Sequence, residues 1–514
     1  MLAWYSELMH HISRIAVDEL KSLPETVNWN SPEERHEFLR RLYPLVRNWK
    51  VHLPNPRDVF SPEQIDRLLL DAVDYWAERD DVHRGVRFIK FVARTGYRDK
   101  PVDVDETTGK PGARRSTALL RALRRGWHYE WDGLVRDLFK IYNRFDVNYS
   151  DESGLTHFHV ACKFGCYNVV EKYLRLGQDP DLAVPETGDS PLHLAVARGH
   201  KQVADLLLKA GARPSPTNDR GLTPLHLICR KVYDDDLMEV FLKLKADERL
   251  DVNIQDKLGR TPLQWAVVNL LPDLVTALLD LGADLAGFVF PAPAHFDERH
   301  GPDNADCWAD WRLRVASDAM EVVERLETRG YGLDRSDALS IMKLFASHEL
   351  FDSRENLEFW RRDEETARLA ERIAVRPDLC LYSLIRLQPD KARKLMAYSD
   401  YFALARSRTL WKLPEALRRS CVANLCEKLS RRFFQRWALE SFLELTRHRL
   451  PILCCDMIID NLVNADLFGV CAAAETIVIE QQQQQQQQSR SSTWYSSVYQ
   501  GKEVQELQCT RPNE

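Results

Sequence analysis

His157, His159, Cys162 and Cys166 form an H-x-H-x2-C-x3-C cluster, the residue types and close spacing that could build a zinc site. Elsewhere the sequence offers little for bond chemistry. It has no glycine-rich phosphate loop, no nucleophile elbow and no histidine–carboxylate pattern, the usual carriers of such activity. The cluster itself lies in a stretch that recurs. GLTHFHVACKFGCYNVVEKYLRLGQD (154–179) is followed by GDSPLHLAVARGHKQVADLLLKAG (188–211), by GLTPLHLICRK from Gly221, and by GRTPLQWAVVNLLPDLVTALLDLGAD (259–284). With Thr156, Ser190, Thr223 and Thr261 as register marks, the intervals are 34, 33 and 38 residues. His159 then aligns with His193 and His226, and the two cysteines fall on ordinary helical positions. The cluster is thereby absorbed by a repeat. No metal, no cofactor and no catalytic residue is expected, and the chain is not read as an enzyme.

What must position these residues is a stacked helix pair. Proline on the first helical turn loses no hydrogen bond there and presets the backbone. The Thr or Ser before it can cap the helix. In the second helix Val203, Leu206 and Leu207 share a face at helical spacing, and Gly211 and Gly282 stand where a left-handed residue ends a helix. The Thr-Pro-Leu-His pattern resembles the ankyrin repeat. That resemblance implies an all-α solenoid of helix pairs with β-hairpin fingers, in which His159, His193 and His226 bond backbone within and between repeats. Ser116-Thr117-Ala118-Leu119-Leu120-Arg121-Ala122, 39 residues before Thr156 when counted from Thr117, is read as a degenerate first copy with an insertion around residues 127–131. A second insertion, around 230–250, lengthens the fourth repeat. One repeat cannot bury its own apolar face, so stacking is obligatory.

The finger tips differ from one another: Asp151-Glu152-Ser153, Glu186-Thr187, Asn218-Asp219-Arg220 and Asp256-Lys257-Leu258. Asp151, Glu152, Glu186, Asp219, Arg220, Asp256 and Lys257 are taken as candidate target contacts, with solvated turns as the plainer alternative.

Composition bounds the rest. The 514 residues exceed one hydrophobic core and predict several folded units. A net charge of −6 argues against phosphate-driven nucleic-acid binding. Glu7 interrupts the first apolar stretch, no secretory signal is expected, and no run is long enough to span a membrane. The 11 cysteines show no framework and suit a reducing compartment, cytoplasmic or nuclear.

Flanking the repeats, Ser31-Pro32-Glu33-Glu34 and Ser61-Pro62-Glu63-Gln64 read as capped helix starts. The segment after Gly287, FVFPAPAHFDERHGPDNAD, reads as a loop by its proline and glycine content, and helical patterning resumes near Trp308. Residues 450–467, LPILCCDMIIDNLVNADL, place Ile458, Ile459 and Leu462 on one helical face and are similar to the opening of an F-box. They depart from it at Ile459, where the family has leucine, and at Leu453, where it has an acidic residue. RPDLCLYSLIRLQPDKA (376–392), the run LWKLPEALRRSCVANLCEKLSRRFFQRWALESFLELTRHRLPILCCDMII from Leu410, RTGYRD (94–99) and RSDALSIMKLFASHELF (335–351) resemble segments of insect and poxvirus ankyrin proteins that end in a PRANC domain. The resemblance implies that Leu450, Pro451, Ile458, Leu462 and Leu467, with Asp466 as a cap, dock the Skp subunit of a cullin ubiquitin ligase while the repeats hold a protein target. The alternative is a scaffold or sequestering inhibitor without a ligase link, its carboxyl-terminal helices merely capping the stack.

The expected organisation is an N-terminal helical cap (1–112), repeats (113–287), a connector (288–374), the F-box-like module (375–474) and a disordered tail (475–514) with eight glutamines at 481–488.

Overall fold

The computed structural model describes residues 27–47, 55–74, 82–99, 114–124, 131–230, 235–244, 249–300, 310–351 and 364–484. The expectations for the first 26 residues, for most of the 127–131 insertion and for the tail beyond residue 484 lie outside the described residues. The fold is helical, and its contacts divide the chain between Pro262 and Leu263. That division falls inside the segment 113–287 assigned to the array, at the first helix of the last repeat.

In the first unit, α1 (Pro32–Arg47), α2 (Pro62–Asp74) and α3 (Val82–Arg94) pack on one another. The hydroxyls of Ser31 and Ser61 accept the amides of Glu34 and Gln64, so each Ser-Pro start is a cap. These helices lead into the repeat stack: α2 packs on α4 (Ala118–Arg124) and α3 on α5 (Trp131–Ile141). Arg115 reaches back to Asp66 and takes both oxygens of Asp99 at 3.0–3.1 Å. Three helix pairs follow: α6 (His157–Lys163) with α7 (Tyr167–Arg175), α8 (Pro191–Ala197) with α9 (Lys201–Lys209), and α10 (Pro224–Cys229) with α11 (Asp235–Leu242). Val203, Ala204 and Leu207 bury the inward face of α9, with Leu206 half-buried beside them. Gly211 and Gly282 both adopt φ +97°, the left-handed residue that ends each helix.

The fingers are tighter than β-hairpins. Each is a turn closed by Asp151 N to Leu155 O, Val184 N to Asp189 O, Asn218 N to Leu222 O or Asp256 N to Arg260 O, with a tighter bond inside it such as Gly154 N to Asp151 O or Gly221 N to Asn218 O, and among the described residues no finger extends into a strand beyond the isolated bridge of Ser150 with Thr156. Successive fingers touch directly: Asp219 N donates to Thr187 O and Lys257 N to Arg220 O. At Gly221 a Cβ would lie 2.9 Å from Lys257 N, which is why the tip has no side chain there.

In the second unit, the last repeat helices α12 (Pro262–Val268) and α13 (Pro272–Asp280) are followed by α14 (Pro293–His300), α15 (Trp311–Thr328) and α16 (Arg335–Ser347). The expected loop after Gly287 is therefore partly helical, because Pro293 is tolerated on a first turn and Phe296 is wholly buried. α13 packs on α15, and Arg329 donates to Asp280 at 2.7 Å. After α17 (Glu364–Glu371), a two-stranded antiparallel ribbon, β1 (Ala374–Arg376) with β2 (Leu379–Cys380), interrupts the helices. Then come α18 (Leu381–Arg386), α19 (Pro389–Leu395), α20 (Tyr398–Arg406), the 31-residue α21 (Glu415–Leu445) and α22 (Ile452–Asn461).

A last helix, α23, runs over 464–484 and includes the first four glutamines. The disordered tail expected from residue 475 thus begins too early. Leu467, Cys471 and Ala474 anchor α23 in the core, glutamine is a good helix former, and neither Gly nor Pro occurs from Val470 to Gln484.

Candidate protein-interaction surfaces

The tetrapeptide residues form one unit repeated along the stack. Thr156, Ser190 and Thr223 are extended N-cap residues whose hydroxyls accept the amides of His159, His193 and His226. Each imidazole Nδ1 accepts the cap residue's amide at 3.0–3.1 Å. Nε2 must then carry the proton, and it donates across to the next finger: His159 to Leu182 O at 2.7 Å, His193 to Leu222 O at 2.8 Å and His226 to Arg260 O at 3.0 Å. After Thr261 the fourth position is Gln264, whose amide donates to Val289 O at 2.9 Å in the same manner.

The degenerate first copy uses a different device. Thr117 has no following histidine. His157, standing where the other repeats have proline, reaches back with Nε2 to the Thr117 hydroxyl at 2.7 Å. It is boxed by the rings of Phe139, Tyr142 and Tyr149. His157 and His159 thus each commit Nε2 to the stack, and Cys162 is buried in the helix core.

Burial lowers the basicity of all four imidazoles, His157 to about 3. The unfolded chain therefore binds protons that the folded chain refuses. The stability contributed is complete above the unfolded value near 6.5 and is lost as pH falls, for His157 down to about 3, by up to about 1.4 kcal/mol per pH unit per histidine. Asp99 runs the other way, pushed up to about 6 by burial, with Tyr149 and the charges of Arg57 and Arg144 opposing that rise. Hydrogen exchange of the α6 and α8 amides, corrected for intrinsic rate, is expected to lose protection between pH 7 and 5. Protection that stays level or increases over that window contradicts this account.

Not every candidate finger residue points outward. Asp151 and Asp256 are buried, and their Oδ1 atoms accept amides of their own turns, from Ser153 and Leu155 and from Leu258 and Arg260. Asp151 also takes Arg124 Nε at 2.8 Å. These two build the turn and are withdrawn as target contacts, since a carboxylate shared among buried amides has no free edge. Glu152, Glu186, Asp219, Arg220 and Lys257 are exposed.

At the other end of the chain, α22 lies along α21 and buries only Cys455 and Ile459. Leu453 (72% exposed), Met457 (68%) and Ile458 (39%) face outward together with Cys454. Leu450 and Ile452 extend this surface towards the preceding turn. In that turn Arg447 and His448 take left-handed backbone at φ 53° and 54°, an uncommon conformation for residues with a Cβ. Ile458 and Ile459 do not share a face, for one is outside and the other in the core. The helix ends at Asn461, so Leu462 caps it, half-buried. Pro451 is the exposed N-cap. Asp466 accepts the amide of Val463 at 3.3 Å and so caps α23. Leu467 is wholly buried and is withdrawn as a docking contact. Leu453, where the F-box pattern has an acidic residue, and Met457 carry more exposed apolar surface than the docking residues the resemblance implies.

Arg431 of α21, itself buried, fixes this arrangement. It donates to Ile459 O at 3.0 Å, Asp460 O at 3.2 Å and Asn464 Oδ1 at 3.2 Å, with Glu427 at 3.5 Å.

Comparison with known proteins places the repeat segment. The family model for ankyrin repeats matches residues 131–218 and 192–286. An ankyrin repeat protein of fowlpox virus is 31% identical over 155 residues, 30% of this chain and 44% of that protein. The phosphocholine transferase AnkX of Legionella pneumophila is 29% identical over 126 residues, 24% of this chain and 13% of its own length. A palmitoyltransferase, AKR1, of Lachancea kluyveri is 31% identical over 121 residues and is covered over 16% of its length. The chain thus spans less than half the length of these relatives. It carries an ankyrin-repeat solenoid in an all-α fold, and ankyrin repeats generally bind proteins. No helix among the described residues is long and apolar enough to cross a membrane.

Proposed function

We propose that this ankyrin-repeat chain is a non-catalytic adaptor: the repeats hold a protein target, and the outward face of α22 docks the Skp subunit of a Skp–cullin–F-box ubiquitin ligase. Its contribution to ubiquitin transfer is proximity, which converts an encounter between two proteins into a local event. The observation that carries the reading is the run Leu453, Cys454, Met457 and Ile458, left in solvent on a helix whose other edge is well packed. Contiguous exposed apolar surface on a folded unit marks a partner site. The similarity to a poxvirus ankyrin protein is in keeping with it. The relatives named for transferase activity share only a small part of their length with this chain, so they lend no chemistry to it. Residence in the cytoplasm or nucleus belongs to the same proposal, since its partners are there.

The second reading, a scaffold or sequestering inhibitor, draws on the packing of α13 against α15, which closes the last repeat with helix.

Affinity capture from cells with the full chain separates the two. The unaltered chain is expected to bring down the Skp subunit and cullin with its target. The exposed double substitution Leu453→Asp with Met457→Asp is expected to lose the ligase subunits and keep the target. Capture of target alone by the unaltered chain leaves the scaffold reading.

A further inference from the structure

A cavity of about 810 Å³ lies within the carboxyl-terminal unit, with no residue of α22 in its walls. Those walls are α15, the strand β1, the corner that leads from α19 into α20, and α21; α15 packs directly on both α20 and α21. α15 presents the face of Val323, Glu324 and Glu327, and α21 that of Arg432, Phe433 and Arg436, at the same helical spacing on each. Met320, Met396 and Tyr401 add buried apolar surface. A volume of this order encloses a small organic molecule rather than a lone ion.

Five cations line this cavity against three carboxylates, a surplus of two positive charges. Two of the cations are already answered. Arg436 on α21 meets Glu327 on α15 at 2.6 Å, and Arg376 donates to Leu395 O and lies 3.8 Å from Asp400. Arg393, Lys394 and Arg432 are exposed, and among the described residues no carboxylate lies within ion-pair distance of any of them. Of the lining carboxylates, Glu324 alone makes no ion pair among the described residues. Like charges gathered around one opening repel, and an anion seated there relieves them. Tyr398 lines the same cavity, half-buried. Burial first, and then Glu324, pushes its hydroxyl up to about 12, with Arg393 opposing, so it stays protonated and able to donate.

We infer that this cavity receives a phosphate monoester carried on a compact apolar body, its phosphoryl oxygens held by Arg393, Lys394 and Arg432 and its body set against Leu395 and Phe433. A phosphate monoester brings roughly two negative charges at neutral pH and three acceptor oxygens. It thus answers both the surplus charge and the three open donors. A carboxylate brings one charge and two oxygens, and leaves a cation unanswered. Guanidinium forks suit phosphate bidentately, and lysine serves it as a point charge. Leu395, 44% exposed next to Lys394, and half-buried Phe433 next to Arg432 place apolar contact beside the charge. Glu324 disfavours an anion at the α15 wall, so α19 and α21 set the position of the charged end. Neither the repeats nor α22 take part.

Calorimetric titration of the full chain with phenyl phosphate tests this, with benzoate and phenol as comparators. Phenyl phosphate is expected to bind saturably, about tenfold or more tighter than either comparator, and to weaken as salt rises. Arg393→Gln with Lys394→Gln, and separately Arg432→Gln, are each expected to weaken it about fivefold or more. Lys391→Gln removes an exposed cation of α19 that lies outside the cavity, and is expected to leave binding unchanged. Circular dichroism checks the folding of each variant, and all four positions are exposed. A phosphotyrosine pentapeptide separates two sources of the same chemistry. Tighter binding than phenyl phosphate assigns the ester to a phosphorylated side chain of a protein, and equal or weaker binding assigns it to a free small molecule. Binding of neither ester, equal binding of phenol or benzoate, or a loss in the cavity variants no greater than in Lys391→Gln overturns the assignment.

Discussion

Arg431→Ala is expected to lower the stability of the carboxyl-terminal unit by about 3–5 kcal/mol and to release α22. The guanidinium ties α21 to the end of α22 and the start of α23 through two backbone carbonyls and the Asn464 side chain, beside the bonds that Glu427, Ser430 and Gln435 make to Asn464 and Asp460. Alanine removes the cation and leaves Glu427 nearby without that partner, while the carbonyls of Ile459 and Asp460 lose their buried donor. Breaking one side of a buried pair is costly because the other side stays dehydrated. Lysine keeps the charge but not the planar fork, so Arg431→Lys recovers only part of the loss. Chemical denaturation measures the stability, and hydrogen exchange over 452–461 measures the release. A loss below about 1 kcal/mol would mean that Cys455 and Ile459 hold α22 without it.

His193→Ala is the counterpart in the repeats, with an expected cost of about 3–5 kcal/mol. The imidazole accepts the Ser190 amide and donates to Leu222 O, both inside the stack. Alanine orphans the buried Ser190 amide, at about 1–3 kcal/mol, takes one of two donors from Leu222 O, which keeps the Asn218 amide, and opens a cavity besides. His193→Gln is expected to cost far less, about 1 kcal/mol. Gln264 already makes the cross-repeat bond to Val289 O from the same position in the last repeat. Thermal and urea unfolding of the two variants decides the matter. Equal loss for alanine and glutamine would mean that shape, not the hydrogen bonds, sets the stability.

The features legible in the sequence are those whose partners lie within a few residues. Thr156, Ser190 and Thr223 cap their own helices, and Gly211 and Gly282 end theirs; such local chemistry survives translation into any fold. Ser31 and Ser61 belong to the same class. What escaped depends on neighbours distant in sequence. Nothing local distinguishes Asp151 from Glu152 as a finger residue, yet one is sealed into its turn and contacted by Arg124 while the other is in solvent. Ile458 and Ile459 look alike in an apolar helix, and only the position of α21 sends one outward and the other inward. Leu467 fits a docking pattern by type but is taken by the core. Composition alone makes Pro293 and the glutamines at 481–484 irregular, yet packing of Phe296 and of Leu467, Cys471 and Ala474 carries helix into or up to both segments.

The proposed adaptor depends on one contact, the outward face of α22 with the Skp subunit. Calorimetric titration of the purified Skp subunit into the full chain tests it most directly, with Met457→Asp as the matched control, a residue 68% exposed whose change leaves the core intact. Saturable binding by the unaltered chain is expected, with a loss of about tenfold or more in affinity for Met457→Asp. No binding by the unaltered chain, or equal binding by both, would contradict it.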